Sequence, residues 1–208
     1  MLLLSLKIYR LLYVRKAFCL FVFSFIYGIS FAQNVATING KPISTKEFMW
    51  AYKKSHNGSL NTDYTSLQAY LNLYINFKLK VLDARDMDLD KNPTYQQEIK
   101  TYEEMLETHK KATINNKDHD FLINEYKEGV LMFNVSEQKI WSKAQEDEQA
   151  INDFYNRNKQ SYNKPLSEVR GEVINDYQQS LEENWLKSLK QKYQVKVNEN
   201  ELKKIARL

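Results

Sequence analysis

"PLSEVRGEVINDYQQSLEENWLKSLKQKYQVKV", residues 165–197, is the stretch whose reading decides the fold. Pro165 opens a helix, where its missing N–H costs nothing. Val169, Val173, Ile174, Tyr177, Leu181, Trp185, Leu189 and Tyr193 then recur at helical spacing, the apolar stripe of one long amphipathic helix. Behind it Val195 and Val197 alternate around Lys196, which reads as a short strand. So short a strand is not stable alone. The other candidate lies at the far end, where Val35-Ala36-Thr37-Ile38 alternates and Asn39-Gly40 supplies a turn. The economical solution pairs a strand at about 35–38 with one at about 194–197 and closes the helices between them into one unit. The expected fold class is mainly α with this small β-element.

Working inward, Ser44 and Glu47 form a capping box, with Ile43 and Phe48 at the staple positions, so a helix starts at Thr45. A second capping box, Thr65 to Gln68, opens a long helix. Its Leu67, Tyr70, Leu71, Tyr74, Phe77 and Val81 repeat at helical spacing, and Leu73 and Leu82 widen the apolar surface toward a second side. Asn92-Pro93 starts a third helix carrying Tyr95, Ile99, Tyr102, Met105 and Leu106. Residues 114–120, "INNKDHD", read as a polar loop. One or two helices follow, with Ser136 as a new cap, and then a short helix in "QAINDFYNRNKQSY". The reading gives an N-terminal part at 33–114, middle helices at 118–162 and the closing helix and strand at 165–208.

Composition agrees with helices. The chain of 208 residues carries 14 Tyr, 10 Phe and 3 Trp, enough for a core, but only 5 Gly and 3 Pro. A sandwich or barrel needs more turn residues than that. Residues 1–32 read as a secretory signal: Lys7, Arg10, Arg15 and Lys16 precede a short apolar run at 17–30, and Ser30 and Ala32 are small residues at a cleavage site. The alternative is an uncleaved anchor in the inner membrane. Cys19 lacks a lipoprotein cleavage context. Cleavage removes four cations and no anion from a net charge of +4, leaving a neutral chain with no basic footprint for nucleic acid. It also removes the only cysteine, so no disulfide holds the remainder.

The stretches "VATINGKPISTKEF", "LQAYLNLYINFKLKVLDARDMDLDKNPTYQQEIKTYEEML", "EYKEGVLMFNVSEQKIWSKAQED" and "EVRGEVINDYQQSLEENWLKSLKQKYQVKVNENELKKI" resemble the SurA-like periplasmic chaperones and peptidyl-prolyl isomerases of the Bacteroidetes type. That resemblance implies a helical chaperone module onto which the last helix and strand pack back. The family also carries inserted parvulin domains of roughly 90 residues, which isomerise X-Pro bonds. Here "ATINNKDHDFL" (112–122) and "QSYNKPLSEVRG" (160–171) stand at the two insertion points and leave no room for one. "FYNRNKQSY" (154–162) therefore leads straight into the closing helix.

The resemblance implies an ATP-independent holdase in the periplasm, without isomerase activity or cofactor. Its clients would be unfolded outer-membrane or secreted proteins. The rival expectation is a fixed subunit of an outer-membrane assembly or secretion complex. No catalytic motif is present: no nucleophile elbow, phosphate loop or Cys/His pair. Asp118-His119-Asp120 does not converge on one ion, because neighbouring side chains diverge. The acidic runs "DARDMDLD" and "AQEDEQ" lack the Gly and Glu of a calcium loop. A holding function needs some large apolar residues to line an open groove rather than the core. Met49-Trp50 and Met132-Phe133 are the expected client-binding residues. Adjacent helical side chains point about 100° apart, so one of each pair leaves the main stripe.

Overall fold

In the computed structural model, which describes residues 33–58, 62–109 and 116–207, strand β1 (Asn34–Ile38) is the middle of a three-stranded antiparallel sheet. Strand β2 (Lys41–Ser44) lies on one side and β3 (Val195–Val197) on the other. The segment expected to be a secretory signal lies outside the described residues. The pairing of the two chain ends is the one the sequence predicts, with Ala36 opposite Val197, Thr37 opposite Lys196 and Ile38 opposite Val195. Two flanking bonds extend it: Asn39 N–H donates to the Gln194 carbonyl at 2.8 Å, and Asn198 N–H to the Val35 carbonyl at 2.8 Å.

Strand β2 is not in the sequence reading. Asn39 and Gly40 take φ of 49° and 77°. Two consecutive positive φ values make a tight two-residue hairpin whose twist matches the strands. The chain therefore returns along β1 before it enters the first helix. Pro42 hides this strand from a sequence pattern, since proline is tolerated only at a sheet edge.

Helix α1 (Thr45–Ser55) begins at Ser44, whose Oγ accepts the Glu47 amide at 3.1 Å. Ile43 and Phe48 are both buried, as a staple requires. The Glu47 carboxylate does not reach back to close the box; it turns to Tyr74 and Lys78. Helix α2 (Tyr64–Asp86) starts two residues earlier than expected. Asp63, not Thr65, is the cap and accepts the Ser66 amide at 3.0 Å. A carboxylate is favoured at the positive end of a helix. Hydrogen bonding from the Ser66 side chain, and then from its amide, holds the Asp63 carboxyl below its ordinary range. Helix α3 (Pro93–His109) begins as predicted, with Asn92 Oδ1 accepting the Thr94 amide at 2.8 Å.

Helix α4 (Asn116–Ser136) starts inside the stretch read as a loop. His119 is 6% exposed, so it is not a solvated loop residue. Ser136 is not a cap either. It is fully buried, its backbone is helical, and its Oγ lies 3.6 Å from Met132 Sδ. The helix runs on through a π-helical turn, Glu137–Trp141, into α5 (Ser142–Glu146). Asp147 caps α6 (Glu148–Arg157), accepting the Ala150 amide at 2.9 Å. Helix α7 (Leu166–Lys192) is the long closing helix. A last helix, α8 (Glu199–Ile205), was not predicted. Asn198 Oδ1 accepts the Glu201 amide at 3.1 Å, and Leu202 and Ile205 are buried.

The stripe of α7 serves two cores. Near its start, Val173 packs with Ile151, Tyr155 and Tyr162 in a small cluster under α6. Near its end, Trp185, Leu189 and Tyr193 join the main core with Phe48, Tyr52, Leu67, Leu71, Leu79 and the residues of β1. One helix thus ties the middle helices to the sheet. The elements from Asn34 onward form one compact unit.

Candidate functional site

Helix α2 presents two faces with different fates. Leu67, Leu71, Ile75 and Leu79 recur every fourth residue and are buried in the main core. Tyr70, Tyr74 and Phe77 are half-buried on the other face, and Leu73 is 65% exposed. Part of this second side is an open groove. It lies between α1, α2 and α4 and encloses about 560 Å³. Trp50 and Ala51 of α1 line it, with Tyr70, Leu73, Tyr74 and Phe77 of α2 and Phe121 of α4.

The walls are held by ring contacts. Trp50 stacks on Phe121 with centroids 5.3 Å apart. Tyr70 stacks on Tyr74 at 6.2 Å, and Tyr74 on Phe77 at 6.0 Å. Behind them Phe48 and Tyr52 pack against Tyr70 at 5.7 and 5.2 Å. Rings carry large apolar area with few rotatable bonds, so such a wall keeps its shape.

A polar clamp fixes the groove floor. Lys78 Nζ lies 2.6 Å from Glu47 and 2.5 Å from Glu128, and so links α1, α2 and α4. The Tyr74 hydroxyl donates to Glu47 at 2.8 Å. Burial first, and then the Glu47 charge, push the Tyr74 phenol far above its ordinary value, so it remains a neutral donor. The clamp spends its charges internally and leaves an apolar mouth.

The four predicted residues divide. Trp50 lines the groove. Phe133 is 55% exposed and meets Trp141 edge-on at 5.1 Å. It lies outside the groove, on a second depression between α3 and α4 with Tyr102, Leu122, Tyr126 and Val130. Glu125 and Gly129 border both depressions, so the two share the ridge of α4. Met49 and Met132 are half-buried and pack against the main core. The structure thus brings the two aromatics to the surface of neighbouring depressions and turns the two methionines inward.

Sequence reasoning missed Leu73 and Phe121. Leu73 reads as widening α2 toward a second side, but not as a residue of an open groove. Phe121 follows the polar tract read as a loop. A helix begun at Asn116 would have placed Phe121, Glu125 and Glu128 on one face.

Among the described residues no group of three or more His, Cys, Asp or Glu side chains could hold a metal ion. His56 stacks on Tyr52 at 4.2 Å. His119 has Nδ1 3.9 Å from Asp120, and its Nε2 has no hydrogen-bond partner among the described residues. No helix among the described residues is long and apolar enough to cross a membrane.

Fold and site together define a mainly helical protein with a small end-to-end sheet and an aromatic surface groove. Set against family models, curated proteins and solved structures, the chain matches none of them.

Proposed function

We propose that this chain is an ATP-independent periplasmic holdase that binds unfolded or outer-membrane client proteins and has no isomerase activity. The observation that carries the reading is the aromatic groove beside Trp50 and Leu73, open to solvent and fixed beneath by the Lys78 clamp. Each large apolar side chain buried there contributes roughly 1.5–3 kcal/mol. Two or three of them give about 3–9 kcal/mol before the cost of association, about 4–15 kcal/mol, is met, which keeps the binding weak. Such a complex exchanges, as a client that must be released requires. Rings and aliphatic side chains also accept many sequences, since they read shape and apolarity rather than a hydrogen-bond code.

A second reading is a fixed subunit of an outer-membrane assembly or secretion complex. It is favoured by apolar residues outside the groove: Phe133 at 55% exposure, Met105 at 47%, and the Tyr102–Tyr126 stack at 3.7 Å between them. An exposed apolar face of this kind suits one constant partner.

Pull-down from detergent-solubilised cell envelope separates the two. The holdase reading expects many substoichiometric proteins, together with suppression of aggregation of an unfolded β-barrel protein without nucleotide. One partner at equal stoichiometry, with no suppression, makes the chain a fixed subunit.

A further inference from the structure

The sheet has two outer edges, and only one is closed. On the β2 side, the two-residue hairpin makes Ile38 and Lys41 the pair that exchange hydrogen bonds, so the backbone of Pro42 faces outward. Proline has no N–H to offer there, and a strand cannot be continued across it. On the β3 side, the bonds from Asn39 to Gln194 and from Asn198 to Val35 fix the alternation. Lys196 turns its backbone to β1. Val195 and Val197 turn their N–H and C=O groups away, and these find no partner among the described residues.

A cleft of about 580 Å³ runs beside this edge. Val195 and Val197 form one side, Asn72, Ile75 and Asn76 of α2 another, and Lys190 stands at the end of α7. The Oδ1 of Asn76 is buried with no hydrogen-bond partner among the described residues, so the wall holds an acceptor in want of a donor. No Asp or Glu lines the cleft. Lys192 is already held by Asp83 at 3.1 Å and Asp86 at 2.8 Å. Lys190 and Lys196 are exposed and carry no ion pair among the described residues.

We propose that the free edge of β3 takes up an extended acidic segment of another protein by strand addition, pairing with Val195 and Val197 and meeting Lys190 and Lys196 with its carboxylates. Main-chain bonds supply the affinity, and alternate side chains supply the selection. Lys196 points to the face opposite Val195 and Val197, so acidic residues on both faces of the added strand find a cation. A second copy of this chain is a poor occupant, because its own Lys190 and Lys196 would meet these lysines. The edge is separate from the aromatic groove and stands whether or not that groove holds clients.

The probe is an end-blocked, fluorescein-labelled ten-residue peptide of Glu, Thr and Val, with Glu on both faces, titrated against the full chain. Fluorescence anisotropy reads binding, and amide chemical shifts read position. The acidic peptide is expected to bind and to shift the Val195 and Val197 amides. The same peptide with Lys for Glu is expected to bind at least about tenfold more weakly. N-methylation at every internal amide keeps the charge, removes the donors and abolishes binding. Lys190→Glu with Lys196→Glu, both at exposed positions, reverses the charge preference. The proposal is overturned if the methylated peptide binds as well as the plain one. Equal binding of acidic and basic peptides, shifts confined to the Trp50 groove, or no binding at all would each overturn it too.

Discussion

The indole N–H of Trp185 donates to Asp83 Oδ2 at 2.9 Å, joining α7 to α2 inside the main core. Trp185 is 7% exposed and Asp83 4%. Lys139 from the π-helical turn and Lys192 from the end of α7 close on the same carboxylate. Next to it, Asp86 accepts from the Tyr193 hydroxyl at 2.8 Å. The closing helix is therefore bolted to α2 at this polar point, and again where Lys80 meets Glu182, as well as packed along an apolar stripe.

Asp83→Ala should destabilise the protein by about 2–3 kcal/mol, since it strands a buried indole donor and two lysines. The lysines keep a third to a half of their side-chain exposure, which moderates the loss. Trp185→Phe keeps most of the packing and should cost about 1–2 kcal/mol. Urea unfolding of the two variants tests the order: an Asp83→Ala midpoint equal to wild type would remove the bolt from the account.

Acid should loosen the same point. Burial raises the Asp83 carboxyl, but hydrogen bonds from Lys139, Trp185 and Lys192 outweigh it and hold the group below its ordinary range. Hydrogen bonds from Lys192 and Tyr193 do the same for Asp86. Both folded-state values are depressed, so their stabilisation is fully present above the unfolded carboxylate value of about 3.9. It is lost as pH falls through the lower folded values. Wild-type stability should fall steeply in that window, and Asp83→Asn should flatten the fall. Parallel acid limbs in the two proteins would count against this linkage.

Deleting residues 193–208 removes β3, α8 and the Tyr193 anchor, exposing one edge of β1. Val35, Ala36 and Ile38 are almost fully buried, so this loss should unfold the sheet and the helices packed on it. Thermal melting followed by circular dichroism should show a broad or absent transition. A truncated protein with the wild-type melting temperature would contradict end-to-end closure.

Much of the frame was legible in the sequence because its signals were redundant. The α7 stripe and the Val195/Val197 alternation together demanded a partner strand, and only residues 35–38 offered one. What escaped were features with one weak signal or two competing ones. Strand β2 was masked by Pro42. Asp63 outcompeted Thr65 for the same helix end. Ser136 looked like a cap, but a π-helical turn carried the chain on, and side-chain chemistry does not announce such a turn. The groove was half legible. An aromatic surplus pointed to it, yet a stripe does not say which of its two faces is covered. That was decided by α4, whose start at Asn116 looked polar. Helix α8 was readable after all: Asn198 and Glu201 have cap spacing.

Gly129 lies mid-helix on the ridge between the two depressions, and a methyl group there would meet nothing within 4 Å. Gly129→Ala should stabilise the protein by about 0.5–1 kcal/mol by restricting the unfolded chain. Gly129→Phe should fold as well and crowd both depressions, reducing aggregation suppression. A phenylalanine variant that folds and holds clients as well as wild type would move the holding surface elsewhere.

The protein should not accelerate cis/trans isomerisation of an X-Pro peptide in a protease-coupled assay. The uncatalysed exchange takes roughly tens to hundreds of seconds, so even modest catalysis is visible. A rate enhancement lost on changing His56 or His119 would overturn the isomerase-free reading.

The most direct measurement is suppression of aggregation of an unfolded β-barrel protein by the Leu73→Ser and Trp50→Ser variants, singly and together. Leu73 is 65% exposed, so its substitution should stay within about 0.5 kcal/mol of wild type. Trp50 is half-buried and gives up its stack on Phe121 and the Lys54 cation over its ring. The account predicts weakened suppression in each variant and near-complete loss in the pair, at a urea midpoint close to wild type. Full suppression by the folded double variant would contradict it.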